Sequence, residues 1–218
     1  EKEPSAQVYH GSPIVVTEDT LIRARTLERG AWSDLSESGY VTSIAPLALT
    51  EIMYNPAGDE TLEFVELYNE NATNIDVSGW SIEGGINYTF PDPTVIDGRS
   101  YLVVAADPMA LGISGGFSDA LGPFSQGQLS NGGEELRLIT HAGRRMSRVD
   151  YDDGGDWPVG ADGSGVSLSR TSVHTNCELP ESWSVSNQVG GTPGADNFPD
   201  PSMLPPVTFT YVSLLYTS

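Results

Sequence analysis

Residues 149–168, VDYDDGGDWPVGADGSGVSL, gather Asp150, Asp152, Asp153, Asp156 and Asp162 among glycines. Carboxylates crowded in this way can cage calcium, a hard cation that takes roughly six to eight oxygen ligands. Laid over an EF-hand loop that starts at Asp150, Asp152 takes the third position, Gly155 the sixth and Asp156 the seventh. Gly154 then stands at the fifth and Ala161 at the twelfth, where the bidentate acid that closes the cage belongs. An irregular calcium site on Asp150, Asp152 and Asp156 is therefore the one metal expectation, and no other cofactor is expected. The competing reading is an ordered turn. Asp and Gly supply Asx turns and positive φ, while Trp157 and Pro158 pin the turn to a sheet.

Glu51, Glu63 and Glu66 are carboxylates that could pair for acid–base work. Glu63 and Glu66 differ by an odd number of positions, so on one strand they point to opposite faces, and strand pairing could bring Glu51 beside one of them. No nucleophile or matched proton acceptor accompanies them. Their expected role is as surface carboxylates or as acceptors for loop amides. His10, His141 and His174 are scattered, with no second His or Cys at the spacing zinc requires. GADGSGVS has the small residues of a nucleophile elbow but not its strand-to-helix turn. An enzyme is not expected. Asn71-Ala72-Thr73 and Asn87-Tyr88-Thr89 match the N-glycosylation sequon, a short motif that arises by accident.

Such residues need strands to position them, and the chain is built for strands. Its 218 residues include 24 Gly and 15 Pro, which break the apolar stretches into short runs, the profile of an all-β protein rich in turns. A chain of this length buries roughly 70% of its unfolded surface, enough for a core without disulfides. TLIRARTL alternates as a half-buried strand near the N-terminus. LALTEIMYN, LEFVELYN, WSIEGG with INYTF, and YLVVAAD follow as strands, the last buried on both faces through Leu102, Val103, Val104 and Ala105. EELRLIT and RMSRVDY form a hairpin across the turn HAG. Nothing longer than a turn or two looks helical. Residues 189–206, rich in Gly and then in Pro, read as a connector that is extended and semi-rigid in its second half. VTFTYVSLLYTS closes the chain as a strand carried by Val207, Phe209, Tyr211, Val212, Leu214 and Leu215.

Thirty acidic residues against ten basic ones give a net charge of −20, and Lys2 is the only lysine. That surface repels phosphate backbones and anionic lipid, which excludes nucleic acid and membrane surfaces as expected partners. No apolar run approaches the ~20 residues of a membrane span. The first residues have neither region of a signal peptide, so an exported protein would be present here as a processed or excised piece. Cys177 stands alone, allows no internal disulfide, and fits either redox compartment.

From residue 47 to about 197 the chain carries, in order, LALTEIMYNPAG, EFVELYNENATNIDVSGWSI, YTFPDPTVIDGRSYLVVA, LSNGGEELRL, VDYDDGGDWPVGADGSGVSLSR and GGTPGADN. This series resembles the bacterial branch of the lamin-tail domain family. The resemblance implies an immunoglobulin-like β-sandwich with Trp80 and Phe64 in or near its core. It implies a non-catalytic accessory module of large secreted or surface proteins, and it includes the acidic loop without making it a metal signature. VYHGSPIVVTEDTLIRARTLERGAWS is similar to the second half of a chitobiase-C-terminal or fibronectin-III-associated module, whose earlier strands are missing here. Together the two resemblances imply a bacterial extracellular or cell-surface protein.

The expected organisation is a partial β module over 1–46, a lamin-tail-like sandwich over 47–198, and a Pro-rich linker with a terminal strand over 199–218. An incomplete module at one end and a lone strand at the other suggest a structural or assembly protein. The tail of one copy would complete the module of the next, head to tail, and build a fibre. The alternative is an adhesion or ligand-binding accessory module for glycan, surface protein or calcium, with Trp32, Trp157 and Trp183 as a candidate aromatic platform. Self-association or contact with neighbouring domains is the expected partnership.

Overall fold

The computed structural model describes residues 8–15, 20–40 and 47–199. Its N-terminal part holds β1 (Thr20–Ala24), β2 (Leu27–Glu28), β3 (Ala31–Trp32) and β4 (Ser36–Tyr40). β1 pairs antiparallel with β4 and β2 with β3, so this region is a narrow two-stranded ribbon. It has little core. Leu27, Trp32 and Leu35 lie exposed along it, as do Val8, Tyr9, Ile14 and Val15 ahead of it.

Beyond it comes the sandwich: β5 (Leu47–Met53), β6 (Phe64–Asn69), β7 (Ile75–Asp76), β8 (Ser81–Gly84), β9 (Ile86–Thr89), β10 (Val95–Ile96), β11 (Tyr101–Ala105), β12 (Gln126–Gly127), β13 (Glu134–Ile139), β14 (Arg145–Tyr151), β15 (Val166–Arg170) and β16 (Trp183–Val189). One five-stranded sheet runs β11-β6-β5-β15-β16 and the other β12-β9-β8-β13-β14. β7 and β10 form a separate short pair. The only α-helix among the described residues is the turn Pro108–Ala110, capped by the Asp107 carboxylate on the amides of Met109 and Ala110.

Alternation builds the core between the sheets. Leu49, Ile52, Val65, Leu67, Val104 and Leu168 from the first sheet meet Ile82, Ile86, Leu136, Leu138 and Val149 from the second. Trp80 joins them, and Phe64 is fully buried on the opposite face of its own sheet, so both lie where the resemblance placed them. The outer face of the second sheet is solvated, as antiparallel sheets allow. Arg148 there pairs with Glu135 at 2.6 Å, Asp150 at 3.2 Å and Glu178 at 3.3 Å.

The first sheet is covered on both faces, which is why every residue of β5 is buried. On its outer side Met53, Phe64, Val103, Ala105 and Leu111 form a second, smaller cluster with Phe117 and Ala120 packed on it. The expected strands from LALTEIMYN to RMSRVDY are present, and the hairpin turns at the predicted place. Gly191, Thr192 and Asn197 are buried against the outer face of the first sheet, so residues 190–197, the first half of the connector, close the sandwich. Val207, Phe209, Tyr211, Val212, Leu214 and Leu215 lie outside the described residues.

Candidate functional site

The first sheet carries the chemistry. β5 and β6 run antiparallel with Leu49 opposite Leu67 and Ile52 opposite Val65, and the register slips by one residue between Leu49 and Glu51. A bulge of this kind sets two residues against one and re-aims their side chains. Thr50 and Glu51 both serve the outer face as a result, beside Glu66, the register partner of Glu51. All three are buried, and both glutamates are fully so.

Residues of the same chain meet the carboxylates. Glu51 Oε1 accepts the Thr192 amide at 2.8 Å, the Ser167 hydroxyl, and more weakly the Ser169 hydroxyl at 3.4 Å. Glu51 Oε2 lies 3.2 Å from Thr192 Oγ1. Glu66 Oε1 accepts from Thr50 Oγ1 at 2.8 Å, and Glu66 Oε2 accepts the Gly194 amide at 2.7 Å. Asn197 finishes the network: its Nδ2 donates to Thr50 O at 2.9 Å and its Oδ1 meets Thr192 Oγ1. The fit leaves no room for a side chain at Gly191. A Cβ there would stand 2.5 Å from Glu51 Oε1, and the residue sits at φ +75.

Burial dominates the electrostatics. It pushes the Glu51 carboxyl above its ordinary value, against the hydrogen bonds from Ser167 and Thr192 that favour the ionised form. Glu66 is pushed up to about 9, first by burial and then by the neighbouring Glu51. Two carboxyls in contact with one polar network titrate as a unit.

Glu63 sits just before β6 and faces the other way, as its odd spacing from Glu66 predicts. It accepts the Leu129 amide at 2.9 Å and Gln128 Nε2 at 3.3 Å, and burial lifts it to about 7. Of the two expected roles, these glutamates take that of acceptors for loop amides; as surface carboxylates the expectation fails, because all three are fully buried. The sequence signal was GGTPGADN, whose glycine amides and amide side chain suit carboxylate partners.

The acidic turn is built differently. Asp150, at the end of β14, pairs with Arg148; Asp152 Oδ1 accepts the Gly154 amide at 2.9 Å as an Asx turn; Asp156 is exposed. Among the described residues no three His, Cys, Asp or Glu side chains are grouped to hold a metal ion. Trp157 is half-buried against the core, 6.3 Å from the Trp183 ring, so the turn is pinned by the residue expected to pin it. Trp183 is buried and donates from Nε1 to Cys177 O at 2.9 Å, which removes it from the candidate platform. Trp32 stands apart on the N-terminal ribbon with the Arg25 guanidinium 4.6 Å above its ring. Beside the closing segment, Arg99, Tyr101, Phe117, Asp119 and Gly194 line a shallow cleft of about 370 Å³.

The carboxylates are sealed from solvent and bonded by donors of their own chain, and what they bind is a loop. No curated protein matches the chain. The model of the Lamin Tail Domain family matches residues 41–153, more than half of the sequence, from just ahead of β5 to the start of the acidic turn. With that match over an all-β, two-sheet sandwich, the chain belongs to the lamin tail domain family.

Proposed function

We propose that this protein is a non-catalytic structural subunit of a bacterial extracellular or cell-surface assembly, joined head to tail by strand complementation. The lamin tail domain is an immunoglobulin-like module compatible with a structural or accessory role. The observation that carries the finer reading is the N-terminal ribbon. β1 and β4 pair with each other and with no further strand among the described residues, and the apolar side chains around them are exposed. A two-stranded ribbon is marginal alone, and its open edges are templates for another strand. Residues 207–218, VTFTYVSLLYTS, have the β-branched and aromatic composition of such a strand. The full chain should form filaments by light scattering and electron microscopy, and removal of residues 207–218 should leave monomers. Filaments that survive the deletion would sink the idea.

A second reading, a ligand-binding accessory module, is supported by the cleft lined by Arg99, Tyr101 and Phe117. Glycan-array binding lost on Arg99→Ala would favour it.

A further inference from the structure

The hydrogen-bond inventory around Glu51 contains one proton fewer than it needs. Thr192 Oγ1 has a single hydrogen, yet it lies between two acceptors, Glu51 Oε2 at 3.2 Å and Asn197 Oδ1. The Asn197 amide cannot be turned round to help, because its Nδ2 is committed to Thr50 O, and a reversed amide would set two carbonyl oxygens against each other. The Thr192 hydrogen therefore goes to Asn197. The contact with Glu51 Oε2 is then attractive only if that carboxyl oxygen itself carries a hydrogen and donates it to Thr192 Oγ1. Across the register, Glu66 has two donors of its own and needs no proton.

Among the described residues no cation takes the proton's place. Asp196 on the closing segment and Tyr68 and Tyr101 on β6 and β11 are the titratable groups around the pair, and all are acids. β15 supplies the Ser167 and Ser169 hydroxyls, while Arg170 on the same strand donates to the carbonyls of Leu49, Val173 and Thr175. Arg99 and Asp119 belong to the cleft beside Gly194. An anion pair here would be two like charges without a counter-ion, in a site walled by backbone amides and apolar rings.

What the pair holds is short and hinged. β16 ends at Val189, and Gly190 and Gly191 follow at φ 88 and φ 75. The segment then crosses the sheet on the Thr192 and Gly194 amides, with Gly194 against the Phe117 ring. Nearly all its polar anchors run to Glu51, Glu66 and Thr50.

We propose that residues 190–197 are a proton-dependent latch: the Glu51–Glu66 pair clamps the segment over the outer face of the first sheet while it shares one proton, and releases it when that proton is lost. Release leaves the two-sheet core intact and uncovers Phe64 and the Glu51–Glu66 row, a face that the closing segment otherwise occupies.

The test follows the Thr192 and Gly194 amide resonances of the full chain by NMR from pH 6 to pH 10.5, with limited proteolysis in parallel. The wild-type amides should lose their carboxyl-bonded shifts in one transition within this range, since burial pushes the Glu51 carboxyl above its ordinary value, and the chain should become cleavable at residues 190–197 over the same interval. Glu51→Gln keeps the shape and carries a permanent donor toward Thr192 Oγ1, so it should stay latched through pH 10.5. Wild-type amides that remain unchanged to pH 10.5 would overturn the proposal. So would a glutamine variant that opens at the wild-type pH while its far-UV circular dichroism remains native. The wild-type titration decides the matter even if a variant fails to fold.

Discussion

The acidic turn and the buried glutamate pair are two ways for one sheet protein to use carboxylates. In the turn, aspartates crowd together along the chain and disperse in space: one pairs with Arg148, one caps an amide two residues on, one faces water. In the pair, glutamates fifteen residues apart meet in register, sealed from solvent, and hold a segment more than a hundred residues downstream. Density along the sequence and consequence in the fold run opposite ways. A carboxylate that keeps its water is energetically cheap and nearly idle, whereas one that loses its water must be matched donor by donor.

The largest effect that separates the two regions should be on the pH dependence of stability. Glu66 and Glu63 have folded-state values raised from 4.5 to about 9 and about 7. Their contribution is fully present below pH 4.5 and is lost as pH rises through those values, because the folded state binds more protons than the unfolded one. Each unit of such a shift corresponds to about 1.4 kcal/mol. Urea midpoints should therefore fall from pH 5 to pH 9.5, with Glu66→Gln flattening the alkaline part and Glu63→Gln the part near neutrality. A flat profile in the wild type would show the pair to be solvated.

Next comes Glu51→Ala, which strands the Thr192 amide and the Ser167 hydroxyl in a dry site. With about 1–3 kcal/mol for each orphaned group, equilibrium urea unfolding should register a loss of about 2–6 kcal/mol. Asn197→Ala removes the tie between Thr192 and Thr50 O, and should cost about 1–3 kcal/mol by the same measurement. At the small end, Asp152→Ala combined with Asp156→Ala should move stability by less than about 1 kcal/mol, since the sites are exposed and one amide cap is lost. Calorimetric titration of the parent protein with calcium should give no saturable heat. A saturable heat abolished by those two substitutions would make the turn, not the pair, the site of carboxylate function.

Much of the fold was legible from residues alone. The alternation in EELRLIT and RMSRVDY set two strands and their inward faces, and the Gly-containing turn set their pairing, because a side-chain period of two leaves one register that buries Leu136, Leu138 and Val149 together. The opposed directions of Glu63 and Glu66 followed from the same parity. β15 and β16 were harder to see: VSLSR and WSVSNQV interleave serine with their apolar residues, and those serines turn out to line a polar network.

By itself the sequence determined the class of fold, the order of most strands and the acidic character of the surface, since period, turn chemistry and charge are local or additive properties. Only the tertiary structure decided which carboxylates matter. The slip between Leu49 and Glu51 changes the face of every residue beyond it, and nothing in LALTEIM announces it. Whether Glu51 meets water or the Thr192 amide depends on where a segment beyond residue 189 returns, and burial of that kind is a property of the whole folded chain, which no stretch of it carries alone.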